Sequence, residues 1–227
     1  MQTKKLESGN YYHIFNHAAG GRDLFRVPGN YEYFLMLYDK YISPVADTFA
    51  WCLMPNHFHL LVRMKENIAY KYCDVDFLNA DGSVDAVRFN EVKWKTTDLS
   101  ACEAHDSVKI PRFEKHFSHL FNAYAKYINT YNKTHGVLFE RPFKRKLINN
   151  ENYLKQVVLY IHNNPVHHNF CEHPLEYPWT SYLNYISIKP TKLHHDAVIG
   201  WFDSKANFKV MHNQKVEITD IEKWLEM

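Results

Sequence analysis

The stretch "MPNHFHLLV", residues 54–62, sets His57 and His59 on either side of Phe58, directly after the turn dipeptide Pro55-Asn56. Side chains alternate faces along a β-strand, so the two imidazoles project side by side while Phe58, Leu60 and Val62 face the other way. Two neutral imidazoles at that spacing can bind one metal ion. With 15 histidines in the chain, a chance pair is the competing reading. A second set lies in "NYLKQVVLYIHNNP", residues 152–165. At about 100° per residue, one helix face collects Tyr153, Gln156, Tyr160 and Asn164, and another collects the core stripe Leu154, Val158 and Ile161. Tyr160 and Asn164 are four apart and so are neighbours on the helix surface. A phenol thus sits one turn from an amide oxygen that could complete a metal site, with Tyr153 as a rival phenol on the same face. Finally, "VLFERPFKRKLI" (137–148) carries Arg141, Lys144, Arg145 and Lys146, which suit either phosphate contact or a solvated face.

The elements that must position these residues can be read from periodicity. "YYHIFNH" (11–17) reads as a strand. "NYEYFLMLYDKYI" (30–42) has apolar residues at helical spacing and stops before Pro44. "TFAWCLM" (48–54) and "HFHLLVRM" (57–64) form a hairpin across Pro55-Asn56, so the histidines open its second strand. Residues 65–112 carry several Asp, a turn at "NADGS" and little periodicity, and read as an insertion. Regularity resumes with a long helix over 113–136, closed by Gly136 as C-cap. A basic strand over 137–148 follows. The helix over 150–165 has Asn149 or Asn150 as N-cap and ends about Asn164, because Pro165 disfavours helical geometry before it. The tail contains Pro174, Pro178 and Trp179 and reads as a small C-terminal helical layer. Intermixed helices and strands with a hairpin as the best strand pair predict an α+β sandwich, an antiparallel sheet with helices packed on one face.

Composition bounds the rest. Apolar residues are 46 % and charged residues 23 % of the 227, ordinary for a globular protein with an ample core. The net charge of +2 is near zero, so nucleic-acid binding cannot be argued from the total and must rest on local basic clusters. The 16 Tyr, 15 Phe and 5 Trp suit base stacking but suit a packed core better. Cys52, Cys73, Cys102 and Cys171 show no paired spacing, the start lacks an apolar leader core, and no apolar run could span a bilayer. A reducing cytoplasm is the expectation.

Taken in order, "LMPNHFHLLV", "GVLFERPFKRKLI" and "YLKQVVLYIHNNPVHHNF" resemble the single-tyrosine HUH transposases, the REP-associated type most closely. The resemblance covers roughly residues 10–64 and 113–185. It implies a ferredoxin-like HUH sandwich over residues 1–185, interrupted at about 65–112, with 186–227 as a C-terminal extension. It places His57 and His59 on the family's metal-binding histidines, Asn164 on the amide that serves as third ligand, and Tyr160 on the nucleophile. The implied cofactor is Mg²⁺ or Mn²⁺, and the implied activity is nicking and rejoining of single-stranded DNA, often a hairpin, through a 5′-phosphotyrosine. A phenol, with an ordinary pKa of about 10, must lose its proton to attack, and the phosphotyrosine product keeps the ester bond so that strands can be rejoined. Exposed single strands stack bases on aromatics while Lys and Arg track phosphates; Tyr11, Tyr12 and Arg22 are further candidates, beside Arg141, Lys144, Arg145 and Lys146. Where the family often has an arginine after the first strand's asparagine, this chain has His17. The tail after the tyrosine helix could cover the surface used for subunit exchange, which favours a monomer over a homodimer. The competing reading is a DNA or RNA hairpin-binding protein that does not cleave.

Overall fold

The computed structural model describes residues 5–71, 95–101, 108–214 and 221. Stretches rich in aromatic and β-branched residues form the first three strands, β1 (Tyr11–His17), β2 (Ala46–Met54) and β3 (His57–Met64). β2 and β3 pair antiparallel across Pro55-Asn56, and β1 lies antiparallel on the other side of β3. Within the expected insertion, β4 (Ile68–Lys71), β5 (Lys95–Asp98) and β6 (Val108–Lys109) make a separate sheet of order β5-β4-β6. The turn expected at "NADGS" lies outside the described residues. β7 (Lys144–Ile148) completes the main sheet, whose order is β2-β3-β1-β7.

β7 is shorter than the strand expected over 137–148. Pro142 has no N–H to give to a ladder, and upstream of it the chain pairs with the sheet's backbone through the isolated Ala18–Phe139 bridge instead of a continuous ladder. Arg141 therefore lies before the strand.

The helices differ from expectation mainly at their ends. α1 (Pro28–Tyr41) starts on Pro28 at its first position. α2 (Phe113–Tyr131) ends well short of Gly136. Lys133 takes the left-handed turn at φ 54°, with Lys133 N–H bonded to Thr130 O and Thr134 N–H to Asn129 O at 3.3 and 2.8 Å, a Schellman closure. No apolar side chain between Tyr131 and Val137 could hold a further turn on the core. α3 (Glu151–His167) is capped by Asn150, whose Oδ1 accepts from Asn152 N–H at 2.9 Å. It runs through Pro165 instead of ending at Asn164. Every residue from Val157 to Pro165 is buried, and that packing outweighs the lost N–H. Its end is again a Schellman turn, with Asn169 at φ 59° and Phe170 N–H bonded to Pro165 O at 2.9 Å. Three short helices follow: α4 (Tyr182–Ile186), α5 (His195–Trp201) and α6 (Lys205–Asn213).

One sheet face, with Tyr12, Ile14, Phe58, Leu60 and Val62, packs under α1 and α2 through Phe34, Leu120 and Tyr124. The opposite face, with Ala50, Cys52, Met54 and Leu61, packs under α3 through Leu154, Val157, Val158 and Ile161. Tyr185, Val198, Phe202 and Phe208 extend that second core, so α4 to α6 pack behind α3. The class is α+β with an antiparallel sheet, and helices cover both of its faces because β2 and β3 are apolar on both. The outer edge of β2 is closed by residues 177–181, where Leu53 N–H donates to Trp179 O and Ser181 N–H to Trp51 O, both at 2.9 Å.

Candidate functional site

Strand register brings histidines together from two strands. His17 pairs with His57, Phe15 with His59 and His13 with Leu61, so His13, Phe15, His17, His57 and His59 share the face that α3 covers. From α3, Tyr160 sets its ring edge-on to His59, with centroids 5.3 Å apart and planes at 80°, and to His13 at 6.0 Å. Asn164, one turn on, puts Oδ1 3.0 Å from His57 Nε2. Residues separated by 107 positions of sequence thus meet on one face of the sheet. Tyr153 sits half-buried nearer the start of α3 and packs into the second core.

Proton accounting at His57 is informative. Its Nδ1 lies 2.7 Å from Asn56 Oδ1 and its Nε2 faces Asn164 Oδ1, two acceptors. Burial, with the charges of His17 and His168 adding to it against the Asn164 contact, holds the His57 pKa down to about 4, so near neutral pH the ring has one N–H. With that hydrogen on Nδ1 and donated to Asn56, the Nε2 lone pair and the Asn164 oxygen converge on one another. Rotating the Asn164 amide would pair them by hydrogen bonding; in the orientation present, a cation between them would do so. Asn164 Nδ2 and His59 Nε2 are both buried with no hydrogen-bond partner among the described residues. The pKa of His59 is pushed well below the usual histidine value, chiefly by burial and then by its histidine neighbours. Neutral imidazoles with unused nitrogens beside an amide oxygen fit a divalent cation. No group of three or more His, Cys, Asp or Glu side chains among the described residues could hold a metal, and the oxygen that stands beside His57 Nε2 is that of the Asn164 amide.

A buried histidine on the same helix makes the contrast. His162 is part of an unbroken donor chain: Trp51 N–H to Ser181 Oγ (2.9 Å), Ser181 O–H to His162 Nε2 (2.8 Å), His162 Nδ1–H to His212 Nε2 (2.9 Å), and His212 Nδ1–H to Phe208 O (2.7 Å). Every polar atom in it is paired with both rings neutral, so this pair ties β2, α3 and α6 together structurally. Burial pushes His162 well below the ordinary value and His212 down to about 4.

The rim of the site is made by His17 and His168. The His17 ring stacks on His57 at 4.9 Å, and the exposed His168 ring meets His57 at 5.1 Å. Burial first, then the Lys144 charge, lowers the His17 pKa. Lys144 and Lys146 pair with Phe15 and His13, which places both on the histidine face, whereas Arg145 pairs with Ile14 on the opposite face. Lys144 Nζ lies 5.8 Å from the Phe15 ring and 3.6 Å from Glu140, and the Arg145 guanidinium lies over Phe143 at 4.9 Å. Arg141 is exposed ahead of the strand. Tyr12 is buried in the α1–α2 core, Tyr11 packs on Phe49 and Trp201, and Arg22 Nε–H donates to Ala19 O, so none of the three is grouped with the histidines. Tyr160 itself is 1 % exposed, so its neighbours must part before any substrate reaches the phenol.

Sequence reasoning did not single out His13, His168 or Asn56. His13 had a signal, because it alternates with Phe15 and His17 in "YHIFNH" and pairing of β1 with β3 brings all three beside His57 and His59.

Comparison with known protein families finds no match, and comparison with curated proteins finds none either. Among solved structures, the chain is similar to a REP-associated tyrosine transposase bound to a REP hairpin. The TM-score is 0.50 at 16 % identity, over 84 % of this chain and 88 % of that one. At that identity the likeness is one of fold.

Proposed function

We propose that this protein is a metal-dependent transposase that nicks and rejoins single-stranded DNA through a covalent 5′-phosphotyrosine on Tyr160. The observation that carries this reading is the convergence of His57, His59, Asn164 and Tyr160, from β3 and α3, on one face of a sheet whose fold resembles that of a tyrosine transposase. His57, His59 and Asn164 would hold Mg²⁺ or Mn²⁺, which would supply Lewis acidity toward the scissile phosphate. Tyr160 gives up its phenolic proton and its oxygen attacks phosphorus; the 3′-oxygen leaves and takes a proton. The ester energy is kept in the Tyr160–phosphate bond, so attack by a 3′-hydroxyl reverses the step and rejoins strands. Lys144 and Lys146 lie on the histidine face and would line the phosphate path, with Arg141 and Arg145 contributing further along the edge.

The substrate is single-stranded DNA carrying a hairpin, in keeping with the hairpin bound by the structural neighbour. Residues 1–185 form the catalytic unit, interrupted at 65–112, and 186–227 extend it. Closure of the β2 edge by residues 177–181 supports a monomer, since that edge is not open to a second copy. No helix among the described residues is long and apolar enough to cross a membrane. A cytoplasmic site of action fits the free thiols of Cys52 and Cys171.

One observation favours a second reading, hairpin binding without cleavage: the burial of Tyr160. Denaturing electrophoresis of protein with labelled hairpin DNA and Mn²⁺ separates the two. A band of protein covalently joined to DNA supports the transposase; tight binding with intact, unattached DNA supports the binding protein.

A further inference from the structure

His13 stands in the middle of β1, fully buried, on the face shared with His57 and His59. Its Nε2 lies 3.0 Å from His59 Nδ1. The two ring planes differ by only 13° and the centroids are 5.1 Å apart, so the nitrogens meet edge to edge in an in-plane hydrogen bond. Burial this deep keeps both rings neutral, and a neutral imidazole carries one N–H. A single proton therefore occupies the bridge, and its position decides what His59 can do. If His13 donates, the remaining hydrogen of His59 sits on Nε2, where it blocks coordination. If His59 donates, its Nε2 carries a lone pair. Only the second tautomer is a ligand through Nε2. The outer ends of the bridge, His13 Nδ1 and His59 Nε2, are both buried with no hydrogen-bond partner among the described residues, so no hydrogen bond at either end selects one tautomer.

We propose that His13 is a positioning residue for the metal centre: it accepts the Nδ1–H of His59 and so holds His59 in the tautomer that coordinates through Nε2. The inference rests on the reading of His57, His59 and Asn164 as metal ligands. His57 is oriented in the parallel way by Asn56 Oδ1, so each histidine has its own acceptor behind it. An imidazole in this role, unlike the carboxylate that often fills it, adds no negative charge behind a centre that must accept an anionic phosphodiester.

The test is Mn²⁺ affinity of the full chain by calorimetric titration near neutral pH, with the metal-free thermal midpoint of every variant measured alongside. His13→Leu removes the acceptor at similar volume, and His13→Gln restores one through Oε1. Loss of an outer acceptor typically weakens metal binding about 10- to 100-fold. That loss is expected for His13→Leu, with recovery of most of the affinity in His13→Gln. His13→Met is the second apolar variant, and it should show the same loss of Mn²⁺ affinity and carry the test if His13→Leu folds poorly. Wild-type affinity in either apolar variant overturns the proposal, as does a His13→Gln protein no better than His13→Leu. A wild-type protein that takes up no Mn²⁺ is a different outcome, because it removes the ligand reading itself and the role of His13 with it.

Discussion

Mild acid should unfold this protein. Five buried histidines, His13, His57, His59, His162 and His212, have pKa values lowered by burial: to about 3 for His13, to about 4 for His57 and His212, and well below the ordinary value for His59 and His162. Above about pH 7.5 these rings are neutral in the folded and the unfolded chain alike, and they make no pH-dependent contribution. As pH falls through 6.5 the unfolded chain takes up protons that the folded chain refuses, so folding stability declines. At pH 5.5 the loss is about 1.4 kcal/mol for each of His13, His57 and His212, or about 4 kcal/mol for the three, and His59 and His162 act in the same direction. Typical domains have about 5–15 kcal/mol in total. The loss continues to grow until pH reaches the folded values near 4 and 3. No Asp or Glu is among the described buried residues, so no buried carboxylate offsets the trend in this window. Urea midpoints followed by tryptophan fluorescence at pH 8, 7.5 and 5.5 should hold between the first two and fall steeply to the third. A midpoint unchanged from pH 8 to pH 5.5 would refute the neutral, buried placement of these histidines.

Ser181→Ala should leave His162 Nε2 and the Trp51 N–H unpaired and destabilise the protein by about 1–3 kcal/mol in urea titration, with stability at the wild-type level counting against the buried chain. His57→Ala and His59→Ala should each abolish Mn²⁺-dependent cleavage and weaken Mn²⁺ uptake in calorimetry while the protein stays folded; full activity in either removes that residue from the site. Replacing Lys144 and Lys146 together by Ala should flatten the salt dependence of single-stranded DNA binding, lowering the log–log slope by about 1.4 in fluorescence anisotropy. Arg145→Ala, on the opposite face, should change the slope less than either lysine does.

The hairpin and its histidines were legible in the sequence because a Pro-Asn turn and strict alternation fix both pairing and face. Helical spacing placed Tyr153, Tyr160 and Asn164 on one face, but it was the resemblance to the transposases, not the spacing, that set Tyr160 above Tyr153. Helix ends were not legible. Gly136 is the residue sequence statistics favour for a C-cap, yet Lys133 takes the left-handed position because the last buried side chain of α2 is Ile128. Pro165 is the residue expected to end α3, yet burial on all sides carries the helix to His167. The split of the basic run between two faces became visible only once Pro142 had shortened β7 and register with β1 was set. The part played by His13 depends on which strand lies beside β3, a non-local fact that no spacing within "YYHIFNH" encodes.

The claim that Tyr160 is the nucleophile is tested most directly by mapping the attachment point of a covalent protein–DNA adduct by mass spectrometry. Wild-type protein, labelled hairpin DNA and Mn²⁺ are combined, the DNA is trimmed, and the modified peptide is sequenced. The nucleotide remnant is predicted on Tyr160, with Tyr160→Phe forming no adduct and Tyr153→Phe, about 10 Å away along the helix axis, still forming it. A remnant on Tyr153, or DNA cut by the wild-type protein with no tyrosine modified, would contradict it.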